Sequence, residues 1–356
     1  MSAITHNQAE FIRVAQRRVE AMVAERRKVC STRNAANPSR YWVDFCSTFD
    51  YMQSLAPESF AKLRLHTYHL TGDNYQTYYF GNRSAFLDYW GPWLATNGLP
   101  AEHVLHEPDD GIGFRLEDGR LVSQDTARFQ RAVSSLSRHG ILDQLRESAT
   151  APQIIEIGGG YGGLAFHLTR ILPKSRYIIV DLAETLVFSA TYLALHAPEK
   201  RLFLYDPETP VTLDDLENHD LVLLPAYRLD LLQDCPFDLA ISMASLQEMR
   251  ADQVKNYLDF LRRTCRGVFY SCNRDRQKGN DELLGLFDLI KSRFEMTELL
   301  PLSPHLPSWK GKIQQGLRAS LLRTARTLGL LDGAPTSDPY PFVEHLCRAH
   351  PNAAGS

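Results

Sequence analysis

Residues 151–172, APQIIEIGGGYGGLAFHLTRIL, combine one carboxylate with a run of glycines that can hold a nucleotide-containing ligand. An apolar stretch carrying Glu156 leads into a G-x-G-x-x-G fingerprint at Gly158, and a helix-like run follows. A strand, a glycine turn and a helix in this order place free backbone N–H groups at a helix N-terminus, where a ligand can approach closely. Asp181 follows about 20 residues later, at the position where a carboxylate accepts hydrogen bonds from ribose hydroxyls.

Two kinds of cofactor fit this loop. The glycine fingerprint followed by an acid is typical of NAD sites. Glu156, however, stands two residues before the first glycine, where the pyrophosphate of NAD would lie nearby. A carboxylate at that position suits a cationic ligand better, so the residues favour a cation without excluding NAD.

The elements that position this loop follow a strand–helix alternation from residue 152 onward. Strands are predicted at 153–157, 176–181, 220–225, 237–243, 267–272 and 294–301. Helices are predicted at 162–172, 184–196, 251–264 and 280–292. Short apolar strands separated by helices imply a parallel sheet buried on both faces, so we predict an α/β fold with a doubly wound, mostly parallel sheet. The last strand ends in prolines, which favours an edge position.

The first 150 residues are predicted to form a helical, aromatic-rich region that serves as a lid, binds the acceptor or mediates oligomerisation. Residues 41–93 hold 15 of the chain's 36 aromatic residues, which gives this region a core and flat apolar surfaces. Helices are expected at 8–29, 57–72 and 126–149, with a small hairpin within 104–126. The first helix has apolar residues at helical spacing and is expected to pack on the body or on a second subunit, which favours a homodimer.

Composition narrows the class of protein. The chain has 356 residues, 44% of them hydrophobic, with a formal net charge of −3, and these values give no general argument for nucleic-acid binding. No apolar run is long enough for a membrane span, and no signal-peptide pattern precedes the first helix, so a cytoplasmic location is expected. The six cysteines are scattered without a C-x-x-C pair, which favours reduced, structural thiols.

Several stretches together resemble one family. The pattern E-x-G-x-G-x-G from Glu156 resembles the first motif of class I S-adenosylmethionine-dependent methyltransferases. In YIIVDLAETL the predicted strand ends in Asp181, and a helix follows at once, as in those enzymes. With FDLAISMASLQEM and FYSCNRD, the chain resembles bacterial sugar O-methyltransferases of sugar-modifying and natural-product gene clusters, over roughly residues 60–300. The resemblance implies a Rossmann-like fold and transfer of a methyl group to a sugar or glycoside hydroxyl.

The resemblance also implies a set of residues for S-adenosylmethionine and its product S-adenosylhomocysteine. They are Glu156, Gly158, Gly160, Tyr161, Gly162, Asp181, Leu182, Ala226, Tyr227, Met243 and Ala244. The glycines would bound the methionine part, and Asp181 would bind the ribose hydroxyls, with Leu182 against the adenine. Ala226 and Tyr227 would flank the adenine, whereas Met243 and Ala244 would lie near the sulfonium.

An alcohol is a poor nucleophile, so a general base is expected at the carboxyl end of the sheet. Glu248 follows the fourth strand by a few residues and is our candidate, and Gln247 beside it would bind the acceptor. Glu248 alternatively serves only as a first-turn helix residue favoured by the dipole. Asn273 and Arg274 follow the fifth strand and either bind acceptor hydroxyls or form a turn.

Histidines and carboxylates offer weaker candidates for a base or a metal site. His66 with His69, and His103 with His106, are spaced i, i+3. A divalent cation holding an acceptor diol would need carboxylates, and the ones to inspect are Asp109, Asp110 and Asp275. No spacing demands a metal, so none is assigned.

Two other classes of function stay open at this level. An NAD(P)-dependent oxidoreductase or sugar epimerase fits the glycine fingerprint, although the chain lacks a Tyr-x-x-x-Lys pair after the fourth strand. A non-catalytic binding protein could keep the fold without the chemistry. In each case we expect a helical region at 1–150, a cofactor domain at 151–302 and a helical extension with a polar tail at 303–356.

Overall fold

One eight-stranded sheet organises the part of the chain that the computed structural model describes, which is residues 4–30, 37–63, 74–299 and 341–350. A two-stranded hairpin precedes it. The strands are β1 Phe114–Arg115, β2 Leu121–Val122, β3 Gln153–Ile157, β4 Arg176–Asp181, β5 Leu202–Leu204, β6 Leu221–Pro225, β7 Phe237–Met243, β8 Cys265–Asn273, β9 Phe294–Leu299 and β10 Val343–Ala349. The six predicted strands are confirmed within the described residues, and β5 and β10 are additional.

Helices cover both faces of the sheet. They are α1 His6–Val29, α2 Arg40–Thr48, α3 Pro57–Phe60, α4 Tyr75–Tyr79, α5 Arg83–Trp90, α6 Gln124–Arg138, α7 Ile141–Arg146, α8 Gly163–Ile171, α9 Leu186–His196, α10 Leu213–Glu217, α11 Ala251–Thr264 and α12 Leu286–Lys291. The helix predicted at 126–149 divides at Gly140, whose φ of +70° ends α6. Of the helix predicted at 57–72, the structure shows α3, which ends at Phe60 with Ala61 as its C-cap, and residues 64–73 lie outside the described part.

The strand order of the large sheet is β5-β6-β4-β3-β7-β8-β10-β9. The first six of these strands run parallel, and β10 pairs antiparallel with both β8 and β9. From β3 the chain builds toward β6 on one side and later toward β8 on the other, so a crevice opens where β3 and β7 meet. The predicted doubly wound, mostly parallel sheet is confirmed, and β9 is the predicted edge strand.

The helical extension predicted within 303–356 falls on residues that the structure does not describe up to residue 340, whereas the predicted tail contains strand β10. This segment, VEHLCRA, inserts between β8 and β9, so the sheet does not end at residue 302. The segment is not predicted as a strand because it contains a carboxylate, and buried strands rarely carry one. In the structure, Glu344 is nevertheless fully buried. That carboxylate accepts hydrogen bonds from the hydroxyls of Ser135 (2.7 Å) and Tyr270 (2.5 Å), and it pairs with the guanidinium of Arg131.

The N-terminal helix α1 packs on the body, as its spacing predicts. Ile12, Ala15 and Val19 are buried in the main core, against α9. Near its end, Arg26 makes two hydrogen bonds of 2.6 Å to the carboxylate of Glu184, which lies three residues beyond β4. This buried pair fixes the N-terminal region close to the carboxyl edge of the sheet.

We predict that Arg131→Met lowers the free energy of unfolding by about 3–5 kcal/mol, because it leaves the Glu344 carboxylate buried without its counter-charge. The matched control is Arg201→Met at the more exposed pair with Asp220, 3.2 Å apart, which should change stability by less than about 1 kcal/mol. Urea denaturation measures both. Equal losses in the two variants would contradict the role of Glu344 in docking β10.

Candidate cofactor and acceptor site

A cavity of about 610 Å³ lies at the carboxyl ends of β3, β4 and β7. Its walls include the glycine loop after β3, Asp181 at the end of β4, and Met243 and Ala244 at the end of β7. Helix α2 and the turn at Leu246–Glu248 close the opposite side. The sheet therefore brings most of the predicted cofactor residues to one crevice at the topological switch point.

The glycine loop needs glycine for two separate reasons. Gly158, Gly160 and Gly162 have φ values of +78°, +55° and +85°, a left-handed conformation that costs other residues energy. At Gly158 a Cβ atom would also lie 1.8 Å from Oγ of Ser245, so the loop from β3 touches the loop from β7 directly. Gly162 is the N-cap of α8, and the N–H groups of Gly158 and Gly162 donate to the backbone carbonyls of Val180 (2.8 Å) and Gly159 (2.9 Å).

Asp181 ties the glycine loop to the neighbouring strand. Its carboxylate accepts hydrogen bonds from the backbone N–H groups of Gly160 (2.8 Å) and Leu182 (2.7 Å). Burial raises the pKa of Asp181 to about 6, although these hydrogen bonds favour its charged form. Leu182 lines the same cavity.

Glu156 lies directly beneath the glycine loop. The carboxylate accepts a hydrogen bond of 2.9 Å from the hydroxyl of Tyr177, and a Cβ atom at Gly159 would be 3.1 Å from its Oε2. Burial raises the pKa of Glu156 to about 8, and the negative charge of Asp181 contributes in the same direction. A buried acid at this position favours a positively charged ligand above the loop.

The end of β7 is bent to face the cavity. Ala244 adopts a φ of +51°, and its N–H donates to the carbonyl of Cys272 at 2.9 Å. The next N–H, of Ser245, donates to Oδ1 of Asn273 at 3.1 Å. Asn273 is fully buried, and its side-chain amide also donates to the carbonyl of Ser242, so it stabilises this bend. It is not among the described residues that line the cavity.

Glu248 lines the same cavity, in the short turn after β7. Its Oε2 accepts a hydrogen bond of 3.1 Å from the indole N–H of Trp42. Burial raises the pKa of Glu248 to about 8, and the indole N–H and the guanidinium groups of Arg128 and Arg274 offset part of that effect. An acid that is protonated at neutral pH and ionises slightly above it is suited to proton transfer.

Gln247 and Arg274 also line the cavity, and each has a structural partner. The side-chain oxygen of Gln247 accepts the backbone N–H of Arg274 at 2.6 Å, and its amide donates to Gln277 at 3.1 Å. The guanidinium of Arg274 stacks on the ring of Phe342 at 4.3 Å. These contacts join the turn after β7 to the loop after β8 and to the start of β10.

Ala226 and Tyr227 follow β6 and are not among the described residues that line the cavity, so their contact with an adenine stays a prediction. The hydroxyl of Tyr227 donates to Glu25 of α1 at 2.6 Å, because α1 crosses this end of the sheet. Tyr161, by contrast, lines the cavity and packs edge-on against Tyr192 at 4.9 Å.

The histidine and metal candidates that the structure describes are not among the residues that line the cavity. His103 is buried against Ser137 and Arg146, and burial lowers its pKa. His66 and His69 lie outside the described residues, and Asp275 caps the backbone N–H of Phe287 at 2.8 Å. Within residues 4–30, 37–63, 74–299 and 341–350, no group of three metal-ligating side chains comes together, and no helix there is long and apolar enough to cross a membrane.

Sequence reasoning did not identify several residues of the cavity wall. They are Ser39, Trp42, Asp125, Arg128, Phe129 and Phe342. The aromatic density at 41–93 is a signal for Trp42, but Arg128 sits on an ordinary amphipathic helix and reaches the site only through the packing of α6. Its guanidinium pairs with Asp125 at 3.1 Å and lies 5.3 Å from the ring of Trp90.

Comparison with known proteins finds only distant structural likeness. No family model and no curated protein matches the sequence. Among solved structures, phosphoethanolamine N-methyltransferase 2 of Haemonchus contortus, bound to S-adenosylhomocysteine, is 12% identical with a TM-score of 0.35; the match covers 60% of this chain and 52% of that one. The N-methyltransferase NodS of Bradyrhizobium japonicum is 14% identical with a TM-score of 0.31, and the match covers 48% of this chain and 79% of that one. The StiE O-methyltransferase is 10% identical with a TM-score of 0.33, and the match covers 63% of this chain and 76% of that one.

These identities and TM-scores carry no argument about activity. The observed strand order, with one antiparallel strand inserted between the last two parallel ones, is by itself that of a doubly wound, mostly parallel Rossmann-like sheet.

We predict that Gly158→Ala lowers the free energy of unfolding by more than about 2 kcal/mol, because the left-handed φ and the clash with Ser245 both oppose a Cβ atom. Gly119→Ala is the matched control, since Gly119 has a φ of +88° with nothing within 4 Å of its Cβ position. It should show only the conformational cost of about 1–2 kcal/mol. Chemical denaturation of both variants gives the difference, and equal losses would contradict the close approach of the two loops.

Proposed function

We propose that the protein is an S-adenosylmethionine-dependent O-methyltransferase that acts on a hydroxyl of a sugar or glycosylated small molecule in natural-product or polysaccharide biosynthesis. The observation that carries the proposal is a pair of acids against a glycine loop, the buried Glu156 and the half-buried Asp181. A cationic donor would favour the ionised forms that burial disfavours. The diphosphate of NAD would instead meet two carboxylates at close range.

The residues present fit such a donor. Gly158 and Gly160 would face its methionine part, with Glu156 below them, and Asp181 would accept hydrogen bonds from its ribose hydroxyls with Leu182 beside the adenine. When bound, S-adenosylmethionine would supply a methyl group on a sulfonium, which is already a good leaving group. The task of the chain is therefore alignment and exclusion of water, worth up to ~7–11 kcal/mol.

The aromatic rings of the cavity wall support a sugar acceptor. Tyr41, Trp42 and Phe45 of α2 line the cavity together with the polar groups of the turn after β7, and Phe129 lines it beside the glycine loop. Aromatic faces offer broad apolar surfaces against which the C–H groups of a sugar ring can pack. The resemblance of the SLQEM and NRD segments to sugar O-methyltransferases points to the same class of acceptor.

Glu248 would act as the general base. Its carboxylate would take the proton of the acceptor hydroxyl while the hydroxyl oxygen bonds to the transferred methyl carbon, and the bonding electron pair stays with the donor sulfur. Arg128 and Arg274 face this carboxylate and favour its ionised form. Met243 and Ala244 at the end of β7 would present an apolar wall beside the transferred group.

The choice of cofactor is tested by calorimetric titration with S-adenosylhomocysteine and NAD side by side. We expect only the former to bind, and we expect Asp181→Asn to weaken it at least about tenfold, because the loss of charge removes a strong acceptor of hydrogen bonds. Asp214→Asn, at an exposed acid on α10, should leave the affinity within about twofold. Binding of NAD alone would instead establish an oxidoreductase or epimerase.

The base is tested by the pH dependence of turnover. With wild-type enzyme, kcat should rise about tenfold per pH unit while Glu248 is protonated and should level off near or below pH 8, since its pKa is raised to about 8 and a bound cation would lower it. Glu248→Gln should keep its affinity for S-adenosylhomocysteine but slow methyl transfer at least about tenfold. It should also remove the rise of kcat with pH, the rising limb of the pH profile.

Glu295→Gln on the exposed edge strand serves as the control and should keep the wild-type profile. An unchanged rate in Glu248→Gln would remove Glu248 from the mechanism.

A further inference from the structure

The segment before α2 is fastened to the turn that carries Glu248. The hydroxyl of Ser39 donates to the backbone carbonyl of Glu248 at 2.6 Å, and the side-chain amide of Gln253 donates to the carbonyl of Asn37 at 2.8 Å. Ser39 stands at the N-cap of α2, yet its hydroxyl makes no capping bond to the helix. Its donor is thus used to fix the Glu248 turn.

The indole ring of Trp42 is held in place by its own helix. It packs against Phe45 with ring centroids 5.3 Å apart and against Tyr41 at 6.2 Å. From this position its N–H points at Oε2 of Glu248, across 206 residues of sequence. The side chain thus reaches the proposed base from a helix that precedes the cofactor-binding sheet.

We propose that Trp42 is a positioning residue for the methyl-transfer reaction: its N–H holds one oxygen of the Glu248 carboxylate so that the other oxygen faces the acceptor hydroxyl. This inference rests on the proposed function, in which Glu248 is the general base. The indole N–H can only donate, so it bonds to the carboxylate as an acceptor and stabilises its ionised form. The N-terminal helix thereby contributes to the chemistry and does more than cover the cavity.

Other groups around Glu248 set the background for this effect. Arg128 from α6 and Arg274 after β8 favour its ionised form, and Asp181 at the end of β4 opposes it. The phenol of Tyr41 also faces it, and burial together with the charge of Glu248 raises the pKa of that phenol. Among these neighbours, Trp42 donates to the carboxylate of Glu248 without carrying a charge of its own.

The test removes the indole N–H in two ways, by Trp42→Phe and by benzothienylalanine at position 42. In both variants kcat at pH 7 should fall about tenfold, and the rising limb of the pH profile should move up by about one pH unit. The Kd of S-adenosylhomocysteine should stay within about threefold in both variants. Benzothienylalanine matches tryptophan in shape, so it separates the lost donor from lost packing.

Phe49→Leu is the matched control, because Phe49 is the C-cap of the same helix, packs against Phe188 at 5.2 Å and is not among the described residues that line the cavity. It should leave the limb at the wild-type pH. In the background of Glu248→Gln, the Trp42→Phe change should have no further effect on kcat, since the two residues act as one unit.

The outcomes separate this proposal from the proposed function. If Glu248→Gln removes the limb but neither variant at position 42 moves it, the positioning role of Trp42 is wrong and the base stands. A further loss of rate in the double variant equal to that in Trp42→Phe alone would also overturn it. If Glu248→Gln leaves the limb in place, the assignment of the base itself fails.

Discussion

The hydrogen bond from the backbone N–H of Gly160 to the carboxylate of Asp181 is the contact on which the site depends. It joins the loop after β3 to the end of β4, next to the point where the strand order reverses. The left-handed conformation of Gly158, Gly160 and Gly162 allows the loop to approach Asp181 this closely. Because Ser245 packs against Gly158, the loop after β7 is placed by the same bend. Three strand ends thus converge on one cavity whose shape follows from backbone geometry.

The electrostatics of that cavity complement its shape. Burial raises the pKa of Glu156 and Glu248 to about 8 and that of Asp181 to about 6, so the site holds acids that a cation would ionise. The positive charges, from Arg128 and Arg274, face the Glu248 end. The cavity therefore combines acids whose ionised forms a cation would favour with two guanidinium groups that act on Glu248.

Local patterns predict the parts of this structure that local physics decides. Apolar strands, the glycine turn and the acid after β4 are visible in the sequence because buried parallel strands and left-handed turns restrict residue type strongly. Strand β10 and the placement of Tyr227 were not predictable, because they depend on Glu344 meeting Arg131 and on Glu25 meeting Tyr227, each across many residues. The contact of Trp42 with Glu248 is long-range for the same reason, and only the local richness in aromatics hinted at it.

The measurement that tests the central claim most directly is a crystal structure of the complex with S-adenosylhomocysteine. The account predicts ribose hydroxyls within hydrogen-bond distance of Asp181, the adenine beside Leu182, and the amino group near the glycine loop above Glu156. A structure in which the ligand lies elsewhere, or in which a diphosphate spans Gly158 and Gly160, would contradict it.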